Sequence, residues 1–260
     1  MRLIHLSDIH FGGENREAVA AAAAYIDEAP CELVIISGDL TRYAEVEEFR
    51  AARAWLDALR SPLLVTPGNH DAPYLQWAER VFTPFQRFER LIGPAPSQCF
   101  RADGLAVCGV NTARGAQLRL NWSKGQISRS QARAALATLA ESVGLRVVVC
   151  HHPLIEMIGG PMTARVWGGE QAARRFAEGR VDLVLSGHIH APFTWSYPYA
   201  DGRTHAVGAG TLSVRERGVP PSFNVIDVTA EQVCVTAQGW TGSHYEPWRT
   251  WALERRAAAG

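Results

Sequence analysis

No sign of charge dominates this chain: Lys and Arg together number 26, and Asp and Glu 26. Proteins that hold nucleic acid by neutralising phosphates usually carry a basic excess or stripe, and none is visible. Cysteine is sparse and unpatterned. Cys31, Cys99, Cys108, Cys150 and Cys234 form neither a disulfide framework nor a CxxC knuckle, so they read as reduced core thiols. Cys150 stands beside His151, but alternation along a strand turns neighbours to opposite faces, which argues against it as a ligand. Long hydrophobic runs are missing too. The longest helix-like apolar stretch, residues 18–26, is amphipathic and too short to span a bilayer. The first residues begin a strand at once, without the regions of a signal peptide. The expectation is a cytoplasmic protein with no membrane association. Repeats, low-complexity linkers and composition breaks are also absent, and 260 residues can bury one full core. One domain over residues 1–260 is expected, with a tryptophan-containing tail at 239–260.

What is present is a recurring pattern of apolar runs that stop at polar residues. Leu63-Leu64-Val65 leads through Pro67 into Gly68-Asn69-His70-Asp71. Leu3-Ile4-His5-Leu6 leads into Ser7-Asp8-Ile9-His10, and Leu33-Val34-Ile35-Ile36 into Ser37-Gly38-Asp39. Val147-Val148-Val149-Cys150 runs into His151-His152-Pro153, and Leu183-Val184-Leu185 into Ser186-Gly187-His188-Ile189-His190. Such runs read as buried strands. In open α/β sheets, ligands bind outside the carboxyl ends of the strands.

Between the runs, helices are predicted over 14–28, 44–59, 77–92 with a break at Pro84, 128–142 with Ser128 as N-cap, and 170–177. The first half therefore alternates strand and helix, which predicts parallel strands joined by crossover helices. Asp103-Gly104 and Asp201-Gly202 each sit between two strand-like runs and predict hairpins. Beyond Phe193 the pattern is strand only, with 223–228 pairing with 232–236. Two sheets packed together with helices outside are expected.

Asp8, His10, Asp39, Asn69, His151, His188 and His190 offer oxygen and nitrogen donors. That set suits Mn²⁺, Fe, Zn²⁺ or Co²⁺ better than Ca²⁺ or a thiolate-held metal. Seven ligands exceed what one catalytic ion with an open position needs. They suit two ions roughly 3.5–4 Å apart that share a carboxylate, an arrangement able to clamp a phosphoryl oxygen.

These blocks, taken in order, resemble the calcineurin-like metallophosphoesterases over about three quarters of the chain. Leu6-Ser7-Asp8-Ile9-His10-Phe11 and Gly38-Asp39-Leu40-Thr41 are most similar to the class III cyclic-nucleotide phosphodiesterases and related bacterial phosphodiesterases. The resemblance implies a four-layer αββα sandwich of two mixed sheets flanked by helices. It implies that Asp8, His10 and His190 hold one metal, that Asn69, His151 and His188 hold a second, and that Asp39 bridges them. His70 then faces substrate as electrostatic aid or acid, with Asp71 orienting His70 or another supporting group. The resemblance further implies attack on phosphorus by a metal-bridging hydroxide, with a small-molecule diester such as a cyclic nucleotide or a glycerophosphodiester as the expected substrate.

Other residues carry weaker signals. His152 reads as a loop-positioning group ahead of a substrate contact. Arg114 reads equally as a phosphate partner or a solvated side chain. Trp122 and Trp167 read as lid packing ahead of walls for an aromatic group. His5 reads as a satisfied core histidine, and His205 and His244 as surface residues. The tail tryptophans read as a packing strap or a subunit contact of a homo-oligomer. The alternatives are a nuclease or phosphomonoesterase of the same family, disfavoured for the nuclease by the balanced charge, and a non-catalytic scaffold, disfavoured by the complete ligand set.

Overall fold

The computed structural model describes residues 1–119, 121–156 and 166–256. The glycine- and proline-rich turn at 159–161 and the end of the tail lie outside these residues. The chain runs β1 (Arg2–Leu6), α1 (Arg16–Glu28), β2 (Leu33–Ser37), α2 (Val46–Ala58), β3 (Leu63–Thr66), α3 (Trp77–Phe82), α4 (Gln86–Leu91) and the hairpin β4 (Ser97–Ala102) and β5 (Leu105–Val110). It continues through α5 (Arg129–Ala140), β6 (Leu145–Val149), α6 (Gly169–Glu178), β7 (Leu183–Ser186) and a second hairpin, β8 (Phe193–Ser196) and β9 (His205–Gly208). The meander β10 (Ser222–Val228), β11 (Gln232–Trp240) and β12 (Tyr245–Glu254) ends it.

Helix boundaries follow local chemistry. The Asn15 side chain caps α1 by accepting from Ala18 N. Ser128 and Gln131 close a capping box at the start of α5. The break expected at Pro84 within 77–92 separates two short helices, because Pro84 cannot supply the amide that would continue the first.

The strands form two six-stranded mixed sheets, ordered β12-β11-β10-β1-β2-β3 and β4-β5-β6-β7-β9-β8. β1, β2 and β3 are parallel to one another, as are β5, β6, β7 and β9. β10 enters beside β1 antiparallel, so the C-terminal meander completes the first sheet. In the second hairpin it is β9, the later strand, that lies against β7.

Alternation sorts each apolar run into two cores. Leu33 and Ile35 of β2 join Val147 and Val149 of β6 and Leu183 and Leu185 of β7 in the core between the sheets. Val34 and Ile36 face α1 and α2 instead. Val148 of β6 and Val184 of β7 pack under α5 and α6. Both faces of each central strand are covered, so these strands read as continuous apolar runs.

Two histidines depart from simple patterning. His5 is fully buried on β1, its Nε2 2.9 Å from Ser37 Oγ. His205, expected at the surface, is buried: Nε2 donates to the Glu254 carbonyl at 2.8 Å and Nδ1 meets Ser196 Oγ at 2.8 Å. It thus links β9 of one sheet to β12 of the other, a non-local contact with no trace in sequence pattern. The expected tail is largely strand, with Trp251 of β12 opposite Val235 of β11 and Trp248 at an irregularity in that pairing. No helix among the described residues is long and apolar enough to cross a membrane.

Candidate metal centre

The loops leaving β1, β2, β3, β6 and β7 are stitched to one another at the carboxyl ends of both sheets. Asp8 N donates to Gly38 O and His10 N to Asp39 O, both at 3.0 Å. His70 N donates to Asp39 Oδ1 and His188 N to Asp8 Oδ2, both at 2.8 Å. Gly187 N reaches His151 O at 2.9 Å. The approach is close: a Cβ at Gly187 would run into Ser7 Oγ and the Asp8 carboxylate.

Backbone strain concentrates here. Eight non-glycine residues have positive φ among the described residues, and Asp8, His10, Asp39, His188 and His190 are five of them. Left-handed backbone costs a non-glycine residue on the order of 1 kcal/mol or more and persists where surrounding structure enforces it, commonly at functional sites. Each turn of this kind aims a donor inward.

The side chains converge. His190 Nε2 is 3.1 Å from Asp8 Oδ1 and 3.3 Å from His10 Nε2. His151 Nε2 is 3.2 Å from Asp39 Oδ2, and His10 Nε2 lies 3.9 Å from that same oxygen. Asp39 therefore reaches both the His10 and His151 groups. Groups with metal-ligand spacing form from Asp8, His10 and His190, from Asp8, Asp39 and His151, and from His151, His152 and His188. Asn69, also buried, follows β3 at the tip of the same loop cluster.

Three of the four imidazoles are held by the far nitrogen. Nδ1 of His10 donates to Thr41 O (3.2 Å), Nδ1 of His151 to Ser37 O (2.8 Å) and Nδ1 of His190 to Arg215 O (3.2 Å). A carbonyl on Nδ1 fixes the tautomer that leaves the Nε2 lone pair free to ligate.

The electrostatics call for positive charge. Burial alone would raise the Asp8 and Asp39 carboxyls, but His190 beside Asp8 and His151 beside Asp39 hold both well below the usual carboxylate range. Burial opposes charge on His151, yet the Asp39 carboxylate lifts it to about 9. His10 and His188 are lowered by burial to about 4 and about 3, so they stand as neutral donors. Two buried carboxylates without compensating cations are costly. Asn69 Oδ1 has no partner, and Asp8 Oδ1 and His151 Nε2 approach His190 and Asp39 without completing a hydrogen bond of proper geometry. Buried ligand atoms without completed hydrogen bonds beside ionised carboxylates fit a divalent-cation centre.

His70 is half-buried at the edge of this cluster. Its Nδ1 donates to the Arg42 carbonyl at 2.7 Å, its ring packs edge-on to His10, and it stacks on Tyr74. Asp71 does not orient it. The Asp71 carboxylate accepts from Leu40 N, Thr41 N, Thr41 Oγ1 and Gly68 N, tying the β2 loop to the β3 loop. Burial and the nearby Asp39 charge push its carboxyl up to about 6.

The remaining predicted residues divide. Trp122 lines a cavity of about 460 Å³ with Asn69, His70, Tyr74 and Trp77. Trp167 lines a different one, of about 420 Å³, that does not include His70, and lies under the Arg119 guanidinium. Arg114 is no phosphate partner here: its guanidinium is spent on the Asn111 and Ala113 carbonyls and on Gln131 Oε1. His152 falls within ligand spacing, but Thr112 Oγ1 and Ser123 O, at 2.9 and 2.8 Å, occupy its two ring nitrogens. It serves to hold two loops together. Cys150 is buried and donates to His152 O, its thiol pushed up to about 12 by burial, so it takes no part. The positioning carbonyls of Ser37, Thr41, Arg42 and Arg215 were not foreseeable, since any residue type supplies a carbonyl.

Comparison with known proteins places the chain in context. The calcineurin-like phosphoesterase family model matches residues 1–192. A glycerophosphodiester phosphodiesterase, GpdQ, of Enterobacter lignolyticus is 37% identical over 83 residues, 27% of this chain and 30% of that protein. A probable cyclic nucleotide phosphodiesterase of Synechococcus is 22% identical over 187 residues, 67% of this chain and 64% of that protein. The chain thus spans less than two thirds of the length of either relative. Among solved structures, yellow lupin purple acid phosphatase PPD1 aligns with TM-score 0.71 at 12% identity, covering 98% of this chain and 54% of that one. Plasmodium GAP50, described as the anchor in the inner membrane complex, aligns with TM-score 0.64 at 13% identity, covering 99% and 90%. A fold shared by a phosphatase and an anchor does not by itself decide activity.

Proposed function

The chain belongs to the calcineurin-like phosphoesterase family, and from that premise we propose that it is a metal-dependent hydrolase of small-molecule phosphodiesters. The observation that carries this reading is the set of buried ligand atoms without completed hydrogen bonds, Asp8 Oδ1, Asn69 Oδ1 and His151 Nε2, packed against two ionised carboxylates and opening on His70. Asp8, His10 and His190 would hold one cation and Asn69, His151 and His188 a second, with Asp39 between them. Nitrogen and oxygen donors of this kind suit Mn²⁺, Fe or Zn²⁺. Bound there, such cations supply Lewis-acid charge at phosphorus and acidify water.

The protein's own part is positioning and proton supply. With Nδ1–H committed to Arg42 O, His70 presents Nε2 to the groove and delivers a proton from it when the ring is doubly protonated. A departing alkoxide needs such a proton. Cavities of about 500 and 460 Å³ both border His70. Two ester arms need two such spaces, whereas a monoester needs one. The names of the two relatives point the same way. The complete donor set weighs against a binding-only module, and the balanced charge against a nuclease.

The test compares turnover of an aryl phosphodiester and the matching aryl phosphomonoester by the Mn²⁺-loaded protein. Faster turnover of the diester is expected. Preference for the monoester sinks the diesterase assignment, and inactivity on both sinks the hydrolase.

A further inference from the structure

The cavity of about 500 Å³ beside His70 differs in character from its neighbour. The neighbour is aromatic, with Tyr74, Trp77 and Trp122 in its wall. This one shares His70 and Tyr74 with it but runs from His10 to two arginines, Arg42 and Arg215, where the neighbour has one, Arg80; neither lining includes an acidic residue. Both arginines sit on backbone that the metal centre itself holds in place. The Arg42 carbonyl accepts from His70 Nδ1 and the Arg215 carbonyl from His190 Nδ1. Arg42 N donates to Phe11 O at 3.1 Å. Arg215 N donates to Ser213 Oγ at 3.2 Å, and Ser213 Oγ meets Thr211 Oγ1, which donates to Asp8 O at 2.6 Å. The Arg42 stem lies across Gly13, where a Cβ would stand 3.0 Å from Arg42 Cδ, and its guanidinium carbon rests 4.8 Å from the Tyr43 ring centroid.

Neither guanidinium is taken up by a carboxylate among the described residues. Arg42 Nη1 makes a 3.4 Å contact with the Gly12 carbonyl. Of the acids flanking Arg42, Asp39 meets His151 and Glu45 pairs with Arg87, while Glu216 adjoins Arg215 at the surface. Glu14 accepts from Gly12 N and pairs with Arg16, and Glu48 accepts from the Tyr43 and Glu45 amides. Surface arginines ordinarily pair with a neighbouring carboxylate or point to solvent. Here two exposed arginines line one cavity beside the reacting centre, with the acids flanking Arg42 otherwise engaged.

We propose that this cavity is a second anion subsite, so that the preferred diesters carry a further anionic group, a carboxylate or a phosphate, on the arm that enters it. Arg42 and Arg215 bind that group through charge-assisted hydrogen bonds, which guanidinium forks form well with either anion. The inference rests on the diesterase reading and adds the charge of the substrate arm to it.

The experiment uses the full chain loaded with Mn²⁺ and aryl phosphodiesters whose second arm is butyl, carboxypropyl or phosphonooxypropyl. These arms differ little in reach and differ in terminal charge, so the two anionic arms separate a carboxylate site from a phosphate site. Expected is a kcat/KM about tenfold or more higher for an anionic arm than for butyl, carried mainly by KM. In the Arg42→Gln/Arg215→Gln double variant that ratio falls to near one. A ratio at or below one in the wild type overturns the proposal, as does a ratio that survives in the double variant. Competitive inhibition by methyl phosphonates bearing the same butyl and carboxypropyl arms gives the same ratio against whichever ester is turned over. Failure of the diesterase reading therefore leaves this second measurement standing, and equal inhibition by both phosphonates overturns the subsite.

Discussion

His70 and the seven buried donors around it behave differently as residues, and substitution should separate them. His70 is the half-buried member, with its free nitrogen toward the two cavities. His70→Ala should keep bound metal and lose roughly 10²–10³-fold in kcat, the range of a lost general acid. Elemental analysis beside steady-state kinetics checks both halves, and loss of metal from this variant would contradict the role given to it. The donors were legible because carboxylates, amides and imidazoles recur directly after apolar runs. Arg114 and Trp167 were not assignable, since a long side chain can turn toward a site or away from it. Only the Asn111, Ala113 and Gln131 oxygens show where Arg114 went.

At the scale of single elements, β1 carries a titratable group into the core. Burial lowers His5 to about 3, while in the unfolded chain it titrates near 6.5. Below pH 6.5 the unfolded state takes up a proton that the native state refuses. The stability that His5 contributes is therefore intact above pH 6.5 and is lost as pH falls toward 3, by up to about 1.4 kcal/mol per pH unit. Urea melts of the chelated protein at pH 7 and pH 5 should show this decline, and a His5→Gln variant should show a shallower one. Arg256, just past β12, joins the first sheet to the second: it pairs with Asp182 at 3.1 Å and Asp201 at 2.8 Å and donates to Val181 O. Arg256→Ala should cost about 3 kcal/mol by leaving Asp182 buried without its partner. Arg256→Lys should recover only part, because an ammonium cannot reproduce the fork. The shift in urea midpoint reads both. The alternating βα half was legible from its periodicity. That β10 lies beside β1, and β9 instead of β8 beside β7, was not, because strand order depends on pairings between distant segments.

For the whole molecule, the site is also a joint. Asp8, His10, Asp39 and Asn69 come from loops of the first sheet, and His151, His188 and His190 from loops of the second. A cation held by both sets would cross-link the two halves of the sandwich. Metal at a hundredfold excess over its Kd should add about 2.7 kcal/mol, or roughly 5–10 °C in melting temperature for a chain of this size. Calorimetry with Mn²⁺ and with chelator tests this, and in Asp39→Asn the difference should largely vanish. The net charge of zero adds no long-range field to steer an anion. Any preference for anionic substrates must therefore come from charges placed locally, such as Arg42 and Arg215.

The amino-acid sequence alone determined the chemical inventory and its local placement: apolar runs long enough for buried strands, each stopped at a metal-competent donor. Local periodicity and residue chemistry are sufficient for that. Tertiary structure alone decided which loops meet, which backbone carbonyls hold the imidazoles, why His205 is buried and Arg114 is spent, and that two arginines some 170 positions apart share one cavity wall. Those outcomes are set by long-range packing and by backbone atoms common to every residue type, and neither leaves a mark in the order of side chains.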